Sequence, residues 1–154
     1  MRIIYHCYGS AHSSVVAAAI HVGILPSDRV PSAREILDVP HFDRTGSDEI
    51  GTCFFMGEDE GGNHVYIMGM GHAKDIVRRA IYSILEIYGI PRSDLLLVNA
   101  LPQVGLITRV GGVLSRRIGL VRAGRPLTIY GIQRSYRNFV RMVASIKREI
   151  GVAK

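Results

Sequence analysis

The chain opens with an apolar, strand-like segment that runs into Tyr5-His6-Cys7-Tyr8-Gly9-Ser10-Ala11-His12-Ser13-Ser14. An alanine-rich run follows at 15–20, and Gly23 closes it. This order predicts a strand at 2–7, a loop of small residues and a helix at 13–22. A strand-to-helix turn of this kind gathers backbone N–H groups and the positive end of a helix dipole around one point. The sequence therefore predicts an anion site between the strand and the helix.

The rest of the chain alternates strand-like and helix-like patterns. Further helices are predicted at 32–37, 73–88 and 134–150, and further strands at 52–56, 64–68, 95–99 and 127–130. The segment 104–120 stays ambiguous, because its glycines weaken any helix there by about 1 kcal/mol each. Buried-type strands that alternate with amphipathic helices are typical of layered α/β domains. We expect one domain over 1–154 with three layers, in which helices flank a largely parallel or mixed sheet of about five strands.

Composition limits the class of protein. With 154 residues and 47% hydrophobic content, the chain is large enough for one domain with its own core. No window approaches the roughly 20 apolar residues of a membrane span, so we expect a soluble cytoplasmic protein without a membrane partner. Cys7 and Cys53 are too few for a disulfide framework and are expected to be reduced thiols. The sequence leaves open whether the protein forms a homo-oligomer.

The first loop carries residues suited to phosphoryl chemistry. Cys7 at its mouth is a candidate nucleophile, since a helix N-terminus and neighbouring histidines favour the thiolate. His12 is the candidate general acid or base. The candidate anion-binding donors in this loop are Gly9, Ser10, Ser13 and Ser14. Simpler interpretations stay open: Cys7 as a small buried core residue, and His12 or one of the serines as an ordinary helix N-cap.

A second turn echoes the first. Gly69-Met70-Gly71-His72 also follows a predicted strand and precedes a predicted helix. Because ligands of open α/β sheets bind beyond the carboxyl ends of the strands, Gly71 and His72 are candidates for the same anion site, with His72 as an alternative acid or base. The competing interpretation is a tight turn that needs only its glycines. Lys74 stands where a dinucleotide fingerprint needs its third glycine, and the chain has no Walker-type motif.

No metal or other cofactor is predicted. Histidine, cysteine and aspartate residues are present near the two turns, but no pair has close-ligand spacing on a helix. His21 falls within the apolar helix pattern and is expected to lie in the core or at its boundary.

Basic residues concentrate near the C-terminus. Residues 1–108 carry 8 basic and 12 acidic side chains, whereas 109–154 carry 11 basic side chains and one acid, Glu149. Such a surface suits nucleic acid or an acidic protein, and a solvated helix face is the alternative. Phe139 is predicted to be buried, which leaves few aromatic side chains for base stacking. The candidates for a cation at the anion site are Arg109, Arg116 and Arg134.

The first loop resembles the cysteine loops of two known families. Low-molecular-weight protein tyrosine phosphatases place a C-x(5)-R-S loop after their first strand, and Cys7, Gly9 and Ser14 match it. Ser13 replaces the arginine that clamps the phosphoryl oxygens, and the Asp-Pro pair of that family's general acid is missing. The phosphocysteine IIB components of sugar phosphotransferase systems are also similar and use no arginine. Cys7, Ser10, Ser13 and Ser14 suit that pattern better, and both resemblances imply phosphate binding around Cys7.

Over its length the chain resembles an uncharacterised domain family of spore-forming Firmicutes, whose members open with a similar Tyr-x-Cys-Tyr-Gly-Gly-x-His-Ser-Ser phrase. Ser10 departs from the usual second glycine. The residues that carry the match are Tyr5, Cys7, Tyr8, Gly9, His12, Ser13 and Ser14. The resemblance implies a single bacterial cytoplasmic domain and no particular activity.

Three functional hypotheses follow. The first is an enzyme that binds a phosphorylated small molecule or another anion at Cys7–Ser14 and uses Cys7 as the nucleophile in phosphoryl transfer. The second is a regulatory domain that binds the same kind of ligand without catalysis. The third is an adaptor that uses the basic C-terminal face on nucleic acid or an acidic protein.

Overall fold

The computed structural model describes residues 1–103 and 121–152. The strands are β1 (Arg2–Cys7), β2 (Cys53–Glu58), β3 (His64–Gly69) and β4 (Leu95–Asn99). The α-helices are α1 (Ser13–His21), α2 (Ala33–Asp38), α3 (Lys74–Ile87) and α4 (Val121–Glu149). The first four predicted strands and the helices α1, α2 and α3 are confirmed, with ends within one or two residues of those predicted. The ambiguous segment 104–120 lies outside the described residues.

The described strands form one mixed sheet in the order β2-β3-β1-β4. β1 is parallel to β3 and to β4, with Ile3 opposite Val65 on one side and opposite Leu96 on the other. β2 runs antiparallel to β3, as the predicted hairpin requires. An α/β fold with a mixed sheet is therefore confirmed. Because β1, β3 and β4 are parallel, the loops that follow them leave the same edge of the sheet.

Two hydrophobic clusters pack against the sheet. The larger one joins Ile3 and Tyr5 of β1 to α1 and α4, whereas Ile4 belongs to a smaller cluster with Met68 and the inner side of α3. Since successive side chains of a strand point to opposite faces, the two clusters lie on opposite faces of β1. Every residue of α1 is buried, but no residue of α3 is.

The predicted strand at 127–130 is wrong, because these residues belong to α4. Their β-branched and aromatic side chains favour a strand locally. The wider pattern is helical, however, since the buried residues recur at spacings of three and four: Ile129, Ile132, Tyr136, Phe139 and Val143. Burial of this stripe in the larger cluster outweighs the local preference, and α4 accordingly begins well before the predicted residue 134.

A buried polar chain connects β1, α1 and the β2–β3 hairpin. The Tyr5 hydroxyl donates to His21 Nδ1 at 2.8 Å, and His21 Nε2 donates to Asp59 Oδ2 at 3.0 Å. The backbone N–H groups of Gly61 and Asn63 also donate to Asp59, each at 2.9 Å. Burial lowers the pKa of His21, which keeps the ring neutral between its two partners. The prediction that His21 lies in the core or at its boundary is confirmed.

Within the described ranges, no helix is both long enough and apolar enough to cross a membrane.

Candidate functional site

The two predicted turns lie side by side at the carboxyl edge of the sheet. The Cys7 carbonyl accepts from the Met70 N–H at 3.0 Å, and the Tyr8 carbonyl accepts from the Gly71 N–H at 2.8 Å. A Cβ placed on Gly69 would lie 3.1 Å from the Gly9 Cα and carbonyl carbon. Glycine at position 69 therefore lets β3 approach the first loop closely, and the second turn holds that loop in place.

The first loop presents a run of hydrogen-bond donors that have no acceptor in the described part of the chain. Ser10 has a positive φ of 46°, a left-handed conformation that in loops helps to turn successive N–H groups toward one concave side. Among the described residues, no acceptor is bonded to the backbone N–H groups of Ser10, Ala11, His12, Ser13, Ser14 and Val15. The Ser10 and Ser13 hydroxyls are likewise without a partner in that part of the chain, although both residues are at least 98% buried.

Cys7 and Ser14 form a buried polar pair. Cys7 Sγ lies 3.1 Å from Ser14 Oγ, and both residues are buried. The helix N-cap is His12, whose side chain makes no capping hydrogen bond. His12 therefore occupies the N-cap position, as one of the open interpretations had it. Its side chain bonds to Asp43 and the Ser14 hydroxyl lies against Cys7, so neither side chain caps the N–H groups of α1. A hydroxyl so placed can donate to a Cys7 thiolate.

His12 is held by a carboxylate from a distant segment. His12 Nε2 donates to Asp43 Oδ1 at 3.3 Å, and Arg125 Nε donates to Asp43 Oδ2 at 2.7 Å. The His12 ring also packs edge-on against the Phe42 ring. Burial alone would raise the pKa of Asp43, but the hydrogen bonds of His12 and Arg125 outweigh it and lower this pKa to about 2. Asp43 is thus a fixed negative charge that orients His12.

The segment that carries Asp43 packs onto the first loop. The Asp43 N–H donates to the Ala11 carbonyl at 3.0 Å, and the Thr45 hydroxyl donates to the Gly9 carbonyl at 2.9 Å. Sequence reasoning missed Asp43, Thr45 and Arg125 as parts of the site. The sequence signal for Asp43 was its acidic side chain in a polar, proline-rich stretch. No local sequence pattern predicts its contact with Arg125, which lies 82 positions later.

The other predicted residues are distributed around the loop. His72 is exposed and packs edge-on against Tyr8, with ring centroids 4.9 Å apart. The Gly71 N–H is engaged by Tyr8, so it serves the contact between the two turns. His6 faces α3, where burial and the charges of Lys74 and Arg78 lower its pKa.

The predicted cations have different outcomes. Arg109 and Arg116 lie outside the described residues. Arg134 lies on the exposed side of α4 and donates to the Tyr130 hydroxyl at 3.3 Å. Among the described arginines, Arg125 joins the network formed by His12 and Asp43, through its hydrogen bond to Asp43.

A cleft opens beside this network. It lies between α2 and α4, has a volume of about 430 Å³ and is lined largely by apolar side chains such as Leu37 and Ile129. Arg125 forms part of its wall and bonds to Asp43, so one carboxylate stands between the cleft and His12.

In the described part of the chain, no group of three or more histidine, cysteine or acidic residues is placed to hold a metal ion.

The sequence matches a known protein family over residues 2–148, which include every candidate residue named above. The chain belongs to the DUF3189 family. That family is described as a protein of unknown function. No curated protein and no solved structure matches the chain significantly. The membership confirms that the chain belongs to an uncharacterised domain family.

Proposed function

We propose that this DUF3189 protein binds the phosphate group of a small molecule at Cys7–Ser14. The observation that carries the proposal is the donor set of the loop: six successive N–H groups and two buried serine hydroxyls with no described acceptor. Leaving such donors unpaired in a buried loop costs about 1–3 kcal/mol each. A phosphate offers enough oxygens to accept several of these hydrogen bonds, and the N-terminus of α1 favours its negative charge.

The place of the loop in the fold supports a ligand site. We infer a three-layer arrangement with α1 and α4 on one face of the sheet and α3 on the other, as the two clusters on opposite faces of β1 suggest. In that arrangement the neighbouring parallel strands β1 and β3 lead into helices on opposite faces. Open α/β sheets bind ligands at such a switch point, beyond the carboxyl ends of the strands.

The pair formed by Cys7 and Ser14 supports phosphoryl transfer. In the proposed step the Cys7 thiolate attacks phosphorus, the bond to the leaving oxygen breaks, and His12 gives that oxygen a proton. Water then attacks the phosphocysteine and gives a proton to His12, and the thiolate leaves with its electron pair. Ser14 donates to the thiolate, while Asp43 keeps the His12 ring in position.

The cleft between α2 and α4 favours a phosphorylated small molecule over a free anion. Its largely apolar lining and its link to His12 through Arg125 and Asp43 suit the organic part of such a ligand.

Calorimetric titration with inorganic phosphate tests the binding site. We expect saturable binding that Ser13→Ala weakens about tenfold to a hundredfold, because a hydrogen bond to a charged group contributes about 1.5–3 kcal/mol. Ser83→Ala on the exposed side of α3 is the matched control and should leave the affinity unchanged. Absence of saturable phosphate binding, or equal effects of the two substitutions, contradicts the proposal.

Iodoacetamide labelling with mass spectrometry tests the role of Cys7. Phosphate should slow alkylation of Cys7 and leave the exposed Cys53 unaffected. Turnover of an aryl phosphate that Cys7→Ser abolishes, with phosphate affinity retained, supports catalysis. If wild type and Cys7→Ser bind phosphate equally and wild type does not hydrolyse the aryl phosphate, the result favours a regulatory binding domain.

A further inference from the structure

Four arginines form a stripe along the exposed side of α4. Arg134, Arg137, Arg141 and Arg148 are all exposed and recur at spacings of three, four and seven residues. These spacings place them on one face of the helix, over a length of about 21 Å. We propose that this arginine stripe binds the phosphate backbone of nucleic acid without reading its sequence.

The stripe differs from the other basic residues of α4 in its pairing. Arg125 is bonded to Asp43 and Lys147 to Glu60, so these two charges are used within the protein. Within 1–103 and 121–152, none of the four stripe arginines is paired with a carboxylate. Arg134 and Arg141 bond only to neutral groups of their own helix. The stripe thus presents four positive charges to solvent with no carboxylate partner among the residues that the structure describes.

The chemistry of the stripe favours a nucleic-acid backbone over other anionic partners. A guanidinium group binds phosphate oxygens in a bidentate way, and all four charges are arginine. Between Arg134 and Arg148, the exposed residues that share the face are Asn138 and Ser145, so this stretch lacks the apolar side chains with which a membrane-surface helix inserts. It also lacks the apolar centre typical of a protein interface. Tyr130 extends the same face, is 53% exposed, and offers a ring for base stacking.

Fluorescence anisotropy with a labelled duplex of mixed sequence tests the inference. Each phosphate contact contributes about 0.9 to the salt slope, so four contacts predict an affinity loss of about 100-fold between about 50 and 200 mM salt. The quadruple variant R134Q/R137Q/R141Q/R148Q should lose more than tenfold in affinity at low salt and show a flattened slope.

The control is R34Q/R78Q/R79Q/R92Q, which removes the same charge from exposed arginines elsewhere and should bind almost as wild type. If the stripe variant does not fold, R137Q alone still tests the inference, because it should lower the salt slope by about 0.9.

Several results would overturn the inference: no binding of wild type at low salt, equal losses in the two quadruple variants, or an unchanged slope in R137Q. Polyglutamate that competes as well as the duplex would assign the stripe to an acidic protein instead, and preferred binding to vesicles of anionic lipid would assign it to a membrane surface. Phosphate binding at the first loop is measured separately, so either proposal can fail without the other.

Discussion

The β1–α1 loop and the β3–α3 turn follow adjacent parallel strands, and each carries glycine and histidine before a helix. Their environments differ. The loop leads into a helix with every residue buried, and its N–H groups from Ser10 to Val15 have no described acceptor. The turn leads into a helix with no buried residue, and its N–H groups at Met70 and Gly71 donate to the loop. Two similar sequence patterns thus give one candidate binding site and one support for it.

The largest expected difference between the two regions lies in their helices. Ala18 of α1 is fully buried, so Ala18→Leu must force a larger side chain into packed surroundings and should lower the free energy of unfolding by about 1–3 kcal/mol or more. Ala80→Leu on the exposed side of α3 should change it by less than about 0.5 kcal/mol. Urea unfolding measures both. Equal losses would mean that the two helices do not differ in packing.

The second-largest expected difference is in how much Asp43, beside the loop, and Asp75, after the turn, contribute to stability. The pKa of Asp43 is lowered to about 2, so its stabilising effect is present above the unfolded pKa near 4 and is lost as pH falls toward 2. Asp43→Asn should therefore cost about 2 kcal/mol at pH 7, and the gap from wild type should close on acidification. Asp75→Asn, in the first turn of α3 and exposed, should cost little at any pH. Thermal unfolding across pH provides the measurement, and a pH-independent gap for Asp43→Asn would count against this assignment.

The smallest expected difference concerns the glycines of the second turn. A Cβ on Gly69 would meet the backbone of Gly9. A Cβ on Gly71 has room, so alanine there is disfavoured only by the positive φ of 54°. Each alanine substitution should cost on the order of 1 kcal/mol in stability. Only Gly69→Ala should shift the amide resonances of Gly9 and Ser10 and weaken phosphate binding. If Gly71→Ala perturbs these signals equally, close packing at Gly69 is not what positions the loop.

Local patterns in the sequence predicted most of the fold. Hydrophobic periodicity and glycine positions predicted the strand, loop and helix around Cys7, the hairpin and α3. These elements were predictable because they depend mainly on interactions between residues close in sequence. The failure at 127–130 has the opposite cause, since β-branched residues favour a strand locally while the buried stripe from Ile129 to Val143 fixes a helix through contacts with the rest of the core.

The candidate site was predictable only where it is local in sequence. Cys7, Ser10, Ser13 and the helix N-terminus lie on one short segment, so the anion hypothesis could be formed from the sequence. The partner of His12 could not, because Asp43 is 31 residues away and Arg125 is 82 residues beyond that. Capping of α1 by one of the serines was an open interpretation, and the structure places the Ser14 hydroxyl against Cys7 Sγ instead.

The position of β1 between β3 and β4 also has a consequence for folding during synthesis on the ribosome. β1 is made before its two partners, β3 and β4, which follow about 60 and about 90 residues later. Parallel pairings over such distances form late, because the intervening chain must be closed into a loop first. During synthesis β1 therefore lacks β3 over the first of these intervals and keeps one unpaired edge until β4 is made, so apolar strand surface stays exposed over both.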